Sequence, residues 1–282
     1  WVLLCVLVAV ALLCKACLVR DIPPKNSSSN QPTGTNTQIA SYIPPKNIIL
    51  NGTDYAQSQL PVGTFGGELV SSIIGEGPKT FNAFNSKDNT SSILSGIMYD
   101  GLLTINPVTG QPMPKLAKAF SVTPDGLVYT IYLRKGIKWS DGKPITADDV
   151  VFTWNNIIFG GFGDTSIRDS LVIEGKLPTA RKYGDYIVVF SLPKPYAPFL
   201  MTLSTPIVPK HVFLPAVQKG KKYFDSFLST NTPPENFVTS GAFKLKEYVP
   251  AQRVVFERNP NYYEVNKSNQ KLPYLDKLIY LI

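Results

Sequence analysis

Apolar and polar positions alternate most regularly at residues 127–133. There Leu127, Tyr129, Ile131 and Leu133 face one way, and Val128, Thr130 and Tyr132 the other. A period of two predicts a strand with one buried face. Thr123, Pro124, Asp125 and Gly126 supply the turn before it. Residues 68–74 and 186–192 also read as strands, and 241–249 with 253–257 read as a strand pair joined near Pro250 and Ala251. Helical spacing places Ile93, Ile97 and Met98 on one face of residues 90–102. A second helix is predicted from Thr146 to about residue 158. Thr146 is its N-cap, and Asp148 and Asp149 lie at the positive end of its dipole. Short helices are expected at 197–203 and 211–219. Strands and helices are interspersed without strict βαβ spacing, which predicts a mixed α/β body beginning near Gly66.

The pattern before that body differs. Residues 1–13 are almost wholly apolar and the run breaks at Lys15. It is short for a membrane span, which needs about 20 apolar residues, and reads as the apolar region of an export leader covering 1–20. The chain opens inside this run without Met and closes on the apolar residues 278–282; it is expected to be incomplete at both ends. Residues 21–63 hold Ser, Thr, Asn and Pro clusters and two copies of Ile-Pro-Pro-Lys-Asn, at 22–26 and 43–47, with no apolar periodicity. Such a segment buries too little surface to offset its ordering entropy, and a flexible tether is expected.

Composition narrows the chemistry. Hydrophobic residues make up 44% and charged residues 17% of the 282, enough for a sizeable core. The net charge of +8 comes without long Lys/Arg blocks or a basic stripe alternating with aromatics, so it reads as ordinary surface charge and nucleic acid is not an expected partner. The three cysteines, Cys5, Cys14 and Cys17, all lie in the leader, so the body has no disulfide and no thiol chemistry. The stretch 13–17 resembles a bacterial lipobox, with Ala16 before Cys17. Two readings stay open there, lipidation of Cys17 or a plain apolar leader. His211 is the only histidine; it stands near a predicted helix start and reads as a surface or capping residue. Hydrolase, zincin, P-loop and dinucleotide-binding motifs are absent. Gly160, Gly161 and Gly163 read as a flexible loop, and the Asp148–Asp149 pair as capping, since adjacent helix residues diverge by about 100°. No metal or cofactor is expected, and an enzyme reading is weak.

Residues 116–154, LAKAFSVTPDGLVYTIYLRKGIKWSDGKPITADDVVFTW, resemble the signature of the family 5 extracellular solute-binding proteins of ABC importers, the oligopeptide- and dipeptide-binding type. Phe120 stands where the family usually has Trp. Other segments match in the family's order: residues 77–82 and 99–103 upstream, and 192–200, 207–211, 240–245 and 256–263 downstream. Trp139, Trp154, Asp125-Gly126 and Asp141-Gly142 read as fold markers, filling core space or making turns.

The resemblance implies an α/β, two-lobed periplasmic-binding-protein-like (type II) fold, of which this chain holds only the first lobe with its inserted subdomain. Residues 64–87 and 207–282 would form that incomplete lobe and 88–206 the insert. It implies a monomeric binding protein that takes a short peptide, or another small solute such as a sugar or metal chelate, and hands it to an ABC permease. A surface-anchored sensing protein on the same fold is the reading from another class. Peptides bound extended are gripped through their main chain. The positions expected to line the cleft are Glu76, Gly77, Pro78 and Phe81, with Ser240, Gly241, Ala242 and Phe243.

Overall fold

The structure, a computed structural model, describes residues 45–282. The leader, Cys17 and most of the expected tether lie outside the described residues.

The first elements correct the sequence reading. Strands β1 (Lys46–Leu50) and β2 (Thr53–Gln57) form an antiparallel hairpin inside the stretch expected to be tether. Asn51 and Gly52 join them, both at positive φ, the two-residue turn whose twist matches paired strands. The hairpin is anchored by side chains as well as by pairing. Lys118 Nζ contacts Asp54 Oδ2 at 2.8 Å, the Lys135 amide donates to the same carboxylate, and Arg134 Nη1 donates to Asn47 Oδ1.

Strand β3 (Glu68–Ser72) precedes helix α1 (Asn89–Met98), whose N-cap Asp88 accepts from the Ser91 amide. Strands β4 (Leu103–Ile105) and β5 (Pro112–Pro114) pair with each other. Strands β6 (Ala117–Val122) and β7 (Val128–Leu133) follow. In β7 the alternation is realised: Tyr129, Ile131 and Leu133 are buried and Tyr132 is exposed. Helix α2 (Ala147–Phe152) starts with a capping box, Thr146 Oγ1 accepting from Asp148 and Asp149 Oδ2 from the Thr146 amide. It continues as a π-helical stretch, Thr153–Ile158, that buries Trp154. Helix α3 (Ser166–Ser170), strands β8 (Thr179–Lys182) and β9 (Ile187–Ser191) and helix α4 (Phe199–Thr202) come next. Helices α5 (Lys210–Gln218) and α6 (Lys221–Ser226) lead to strands β10 (Phe243–Val249), β11 (Arg253–Arg258), β12 (Glu264–Val265) and β13 (Lys277–Leu281).

The larger strands make two four-stranded sheets, ordered β6-β7-β9-β8 and β10-β11-β13-β3, while β12 extends the first hairpin as β1-β2-β12. The β6–β9 sheet is antiparallel throughout; in the other, β13 pairs antiparallel to β11 and parallel to β3. A continuous core of buried side chains runs through the structure, including Phe81, Leu94, Met98, Trp139, Trp154, Phe190, Phe213 and Phe256. Apolar burial of this extent is the main term holding such a body together. Trp139 and Trp154 are among its largest wholly buried side chains, as their role as fold markers requires.

Candidate functional site

Strand β3 sits at the edge of its sheet with all five residues exposed. Leu69 and Val70 are half exposed, and Ile74 just beyond is 100% exposed. The loop that follows carries Glu76 into solvent, while Gly77 and Pro78 are buried. Gly77 has φ +86, and a Cβ there would lie 2.8 Å from Ile282 Cδ1. Phe81 is a core residue, 1% exposed, set edge-on to Phe237 at 5.6 Å and Tyr248 at 5.4 Å between ring centroids. Its side chain is unavailable to a ligand, because burial of an aromatic this complete serves packing.

The second expected segment closes the end of α1. The amides of Ser240 and Gly241 donate to Met98 O at 3.1 and 2.8 Å, and Ser240 Oγ accepts from the Asp100 amide at 2.9 Å. The last carbonyl of the helix, which has no partner within it, is satisfied twice over this way. A Cβ on Gly241 would lie 2.3 Å from Ile97 O, so only glycine allows the approach. Asn259 Nδ2 donates to Gly241 O, and the Asn259 amide to Ala242 O. Ser240 and Phe243 are buried and Ala242 half-buried. These four residues therefore build the frame, and of the eight expected cleft positions only Glu76 presents an exposed side chain.

Sequence reasoning missed a charge cluster drawn from distant segments. Lys115 Nζ lies 2.6 Å from Glu264 Oε1, 2.8 Å from Tyr262 OH and 3.8 Å from Asp100 Oδ1. Tyr263 OH donates to Asp100 Oδ2 at 2.7 Å. Burial works against the charge on Lys115, but Asp100, the two tyrosines and Glu264 hold its pKa well above the ordinary lysine value. Burial also raises Asp100, and Lys115 and Tyr263 only partly offset this. For Glu264 burial is outweighed by the charge and hydrogen bond of Lys115, aided by Tyr262 and Arg134, and its carboxyl is held below the usual range. A depressed carboxyl contributes stability above its unfolded value and loses it as pH falls through the folded value. Asp100, raised, contributes in the opposite sense, fully below its unfolded value and less as pH rises. The Glu264→Gln variant is therefore expected to lose less stability than the parent between about pH 5 and pH 3, a range set by the ordinary carboxylate values. Urea melts across that range would show it, and parallel losses in the two proteins would refute it.

His211, in the first turn of α5, pairs through Nε2 with Asp141 Oδ2 at 2.8 Å. Both line a surface cleft of about 560 Å³ with Lys143, Tyr223 and Glu235. A second cleft, of about 370 Å³, runs along α1 beside Asp100 and Lys115. The described residues contain no group of three His, Cys, Asp or Glu that could hold a metal ion.

Residues 111–282 match the family of bacterial extracellular solute-binding proteins, family 5 Middle. The match covers more than half of the chain, and the protein belongs to that family. It is 34% identical to a probable ABC transporter-binding protein of Deinococcus radiodurans over 70% of this chain and 34% of the relative. It is 31% identical to the oligopeptide-binding protein AppA of Bacillus subtilis over 77% of this chain and 37% of AppA. The solved structure of AppA in complex with a nonapeptide superposes with a TM-score of 0.62 at 29% identity, over 78% of this chain and 40% of AppA. MelB of Agrobacterium fabrum in complex with stachyose superposes with a TM-score of 0.67 at 26% identity, over 78% of this chain and 35% of MelB. The chain thus spans about a third of the length of the curated relatives it matches. The structural neighbours are two-lobed periplasmic binding proteins of which it covers a part. Members of the family are extracytoplasmic solute-binding proteins and in general not enzymes. No helix among the described residues is long and apolar enough to cross a membrane.

Proposed function

We propose that the protein is the extracytoplasmic binding component of an ABC importer, one that captures short peptides between two lobes and delivers them to a membrane permease without catalysing a reaction. Membership of a family that includes AppA, solved with a nonapeptide, is the observation that carries this reading. In it, residues 64–87 and 207–282 belong to the first lobe, 88–206 to an inserted subdomain, and the protein acts as a monomer exported by its leader, with Cys17 as the lipid-anchoring position.

On this side of the cleft the peptide-facing surface is the exposed edge of β3 and the loop carrying Glu76. A free strand edge offers main-chain groups that pair with an extended peptide of any sequence, and Glu76 adds an acceptor for a ligand amine. MelB, solved with stachyose, supports a second reading in which the solute is a sugar or another small non-peptide.

A thermal-shift titration with mixed di- to pentapeptides, stachyose and a metal chelate tests the proposal, because a ligand that binds only the folded state raises the melting temperature. Peptides are expected to raise it. Glu76→Gln is expected to weaken that response about fivefold, the worth of roughly 1 kcal/mol for one hydrogen bond, with the melt of the free protein unchanged. A shift with stachyose and none with peptides would replace the ligand class.

A further inference from the structure

Asn51 is the one asparagine in the sequence followed by glycine. With Gly52 it makes the whole turn between β1 and β2, at φ 49° and 78°, and both residues are exposed. Asparagine is among the thermolabile side chains, because its side-chain carbonyl carbon lies within reach of the next main-chain nitrogen. Three things decide whether those two groups meet: bulk on the following residue, hydrogen bonds that hold them apart, and freedom of the backbone between them.

At Asn51 all three favour the encounter. Gly52 has no Cβ, and one built there would meet nothing within 4 Å. The Asn51 side chain and the Gly52 amide have no hydrogen-bond partner among the described residues. A hairpin tip opens at lower cost than the strands behind it, and here those strands are tied down by Asp54 to Lys118 and by Asn47 to Arg134.

Other asparagines are restrained. Asn82 precedes Ala83 but is wholly buried; its Nδ2 donates to Phe227 O at 3.2 Å and its Oδ1 accepts from the Phe84 amide. Asn85 precedes Ser86, and its Nδ2 donates to Phe224 O at 2.9 Å and to Asp225 O at 3.1 Å. Asn266 is 1% exposed, and its Oδ1 accepts from the Ser268 and Gln270 amides. An amide held in this way is not free to swing onto its own main chain.

We propose that Asn51 is a site of spontaneous covalent modification, converted by its own chain and water to aspartate and isoaspartate. The Gly52 nitrogen bonds to Asn51 Cγ and gives up its proton. The Cγ–Nδ2 bond breaks, and Nδ2 departs with that proton as ammonia. The product is a five-membered succinimide, which water opens at one of its two carbonyl carbons. Breaking the bond between Cγ and the Gly52 nitrogen leaves aspartate on the original main chain. Breaking the bond between the Asn51 main-chain carbonyl carbon and that nitrogen leaves isoaspartate, whose main chain runs through Cβ and Cγ and is one carbon longer. Both products carry a carboxylate that asparagine lacks. Asp-Gly suits a two-residue turn as Asn-Gly does, so aspartate keeps the hairpin. The longer isoaspartyl link does not, and it releases the tip from the Leu50–Thr53 pairing. The modification does not depend on which solute the protein imports.

The intact protein, warmed in mildly alkaline buffer and sampled over time, tests this by ion-exchange chromatography and peptide mass mapping. An acidic form is expected to accumulate. Trypsin, cutting after lysine, places residue 51 in fragment 47–79 and residues 82 and 85 in fragment 80–87. Conversion at residue 51 is expected to run about tenfold faster than in fragment 80–87, a barrier difference of about 1.4 kcal/mol. Asn51→Asp is expected to start at the acidic position, to release no ammonia from this turn and to melt with the parent. The isoaspartyl fraction is expected to melt below both. An aged protein with no acidic form, with conversion at residue 47 instead of 51, or with fragment 80–87 converted as fast, would overturn the site. An isoaspartyl fraction that melts with Asn51→Asp would overturn the released turn.

Discussion

Lys115→Met is expected to destabilise the protein by about 3–5 kcal/mol, the usual cost of removing one partner from a buried ion pair. The methionine preserves most of the apolar stem, so the loss reports charge and not volume. Without the ammonium, Glu264 loses its 2.6 Å partner and Tyr262 its 2.8 Å one, and two carboxylates remain near each other in a place already hostile to charge. One of them is expected to take up a proton. Side-chain exposure of 12–21% across the trio places the effect toward the lower end of that range. The triple variant Lys115→Met, Asp100→Asn, Glu264→Gln is expected to recover much of the loss, since neutralising every member leaves no unpaired charge. Urea melts of parent, single and triple variants decide it. A single variant within about 0.5 kcal/mol of the parent, the range of ordinary surface changes, would mean that the cluster is solvated and not structural.

Trp154→Ala is the second large effect, about 3–5 kcal/mol from lost burial and the cavity left behind. The indole is wholly buried, with ring centroids 5.1 Å from Phe190, 5.6 Å from Phe159 and 6.2 Å from Phe199. Its Nε1 has no hydrogen-bond partner among the described residues. Trp154→Phe therefore gives up volume and stacking but no hydrogen bond, and is expected to cost only about 1–2 kcal/mol within the range for core truncations that keep an aromatic ring. Thermal melts of the two variants would show the difference. Because the ring contacts other core aromatics, the folded Trp154→Phe protein is expected to keep the parent's response to ligand.

Local rules explain where sequence reading succeeded. The alternation of β7 and the N-cap of α2 at Thr146 each depend on neighbours a few residues away. The hairpin at Asn51-Gly52 was equally local and carried a strong turn signal, but the surrounding Pro, Ser and Asn concealed it inside an apparent tether. The burial of the Phe81 and Ser240 side chains is not legible for another reason. Motif position places a residue near a cleft but does not say whether its side chain points outward or into the core. The Lys115 cluster was illegible, since residues 100, 115, 262 and 264 meet only after two sheets and a helix end have been set against one another. Polar networks of this kind have no period and no spacing to read.

The parallel pairing of β3 with β13 sets Glu68 opposite Lys277, and their side chains meet across 209 residues of chain. During synthesis the strand at 68–72 must wait, unmatched, until the residues around 281 have emerged. Contacts of such separation form late, because a long loop must close before they can reward it. The sheet is therefore a clasp that cannot be fastened until the chain from 68 to 281 has been made, and a chain still unclasped is one that can be threaded through a membrane before it folds.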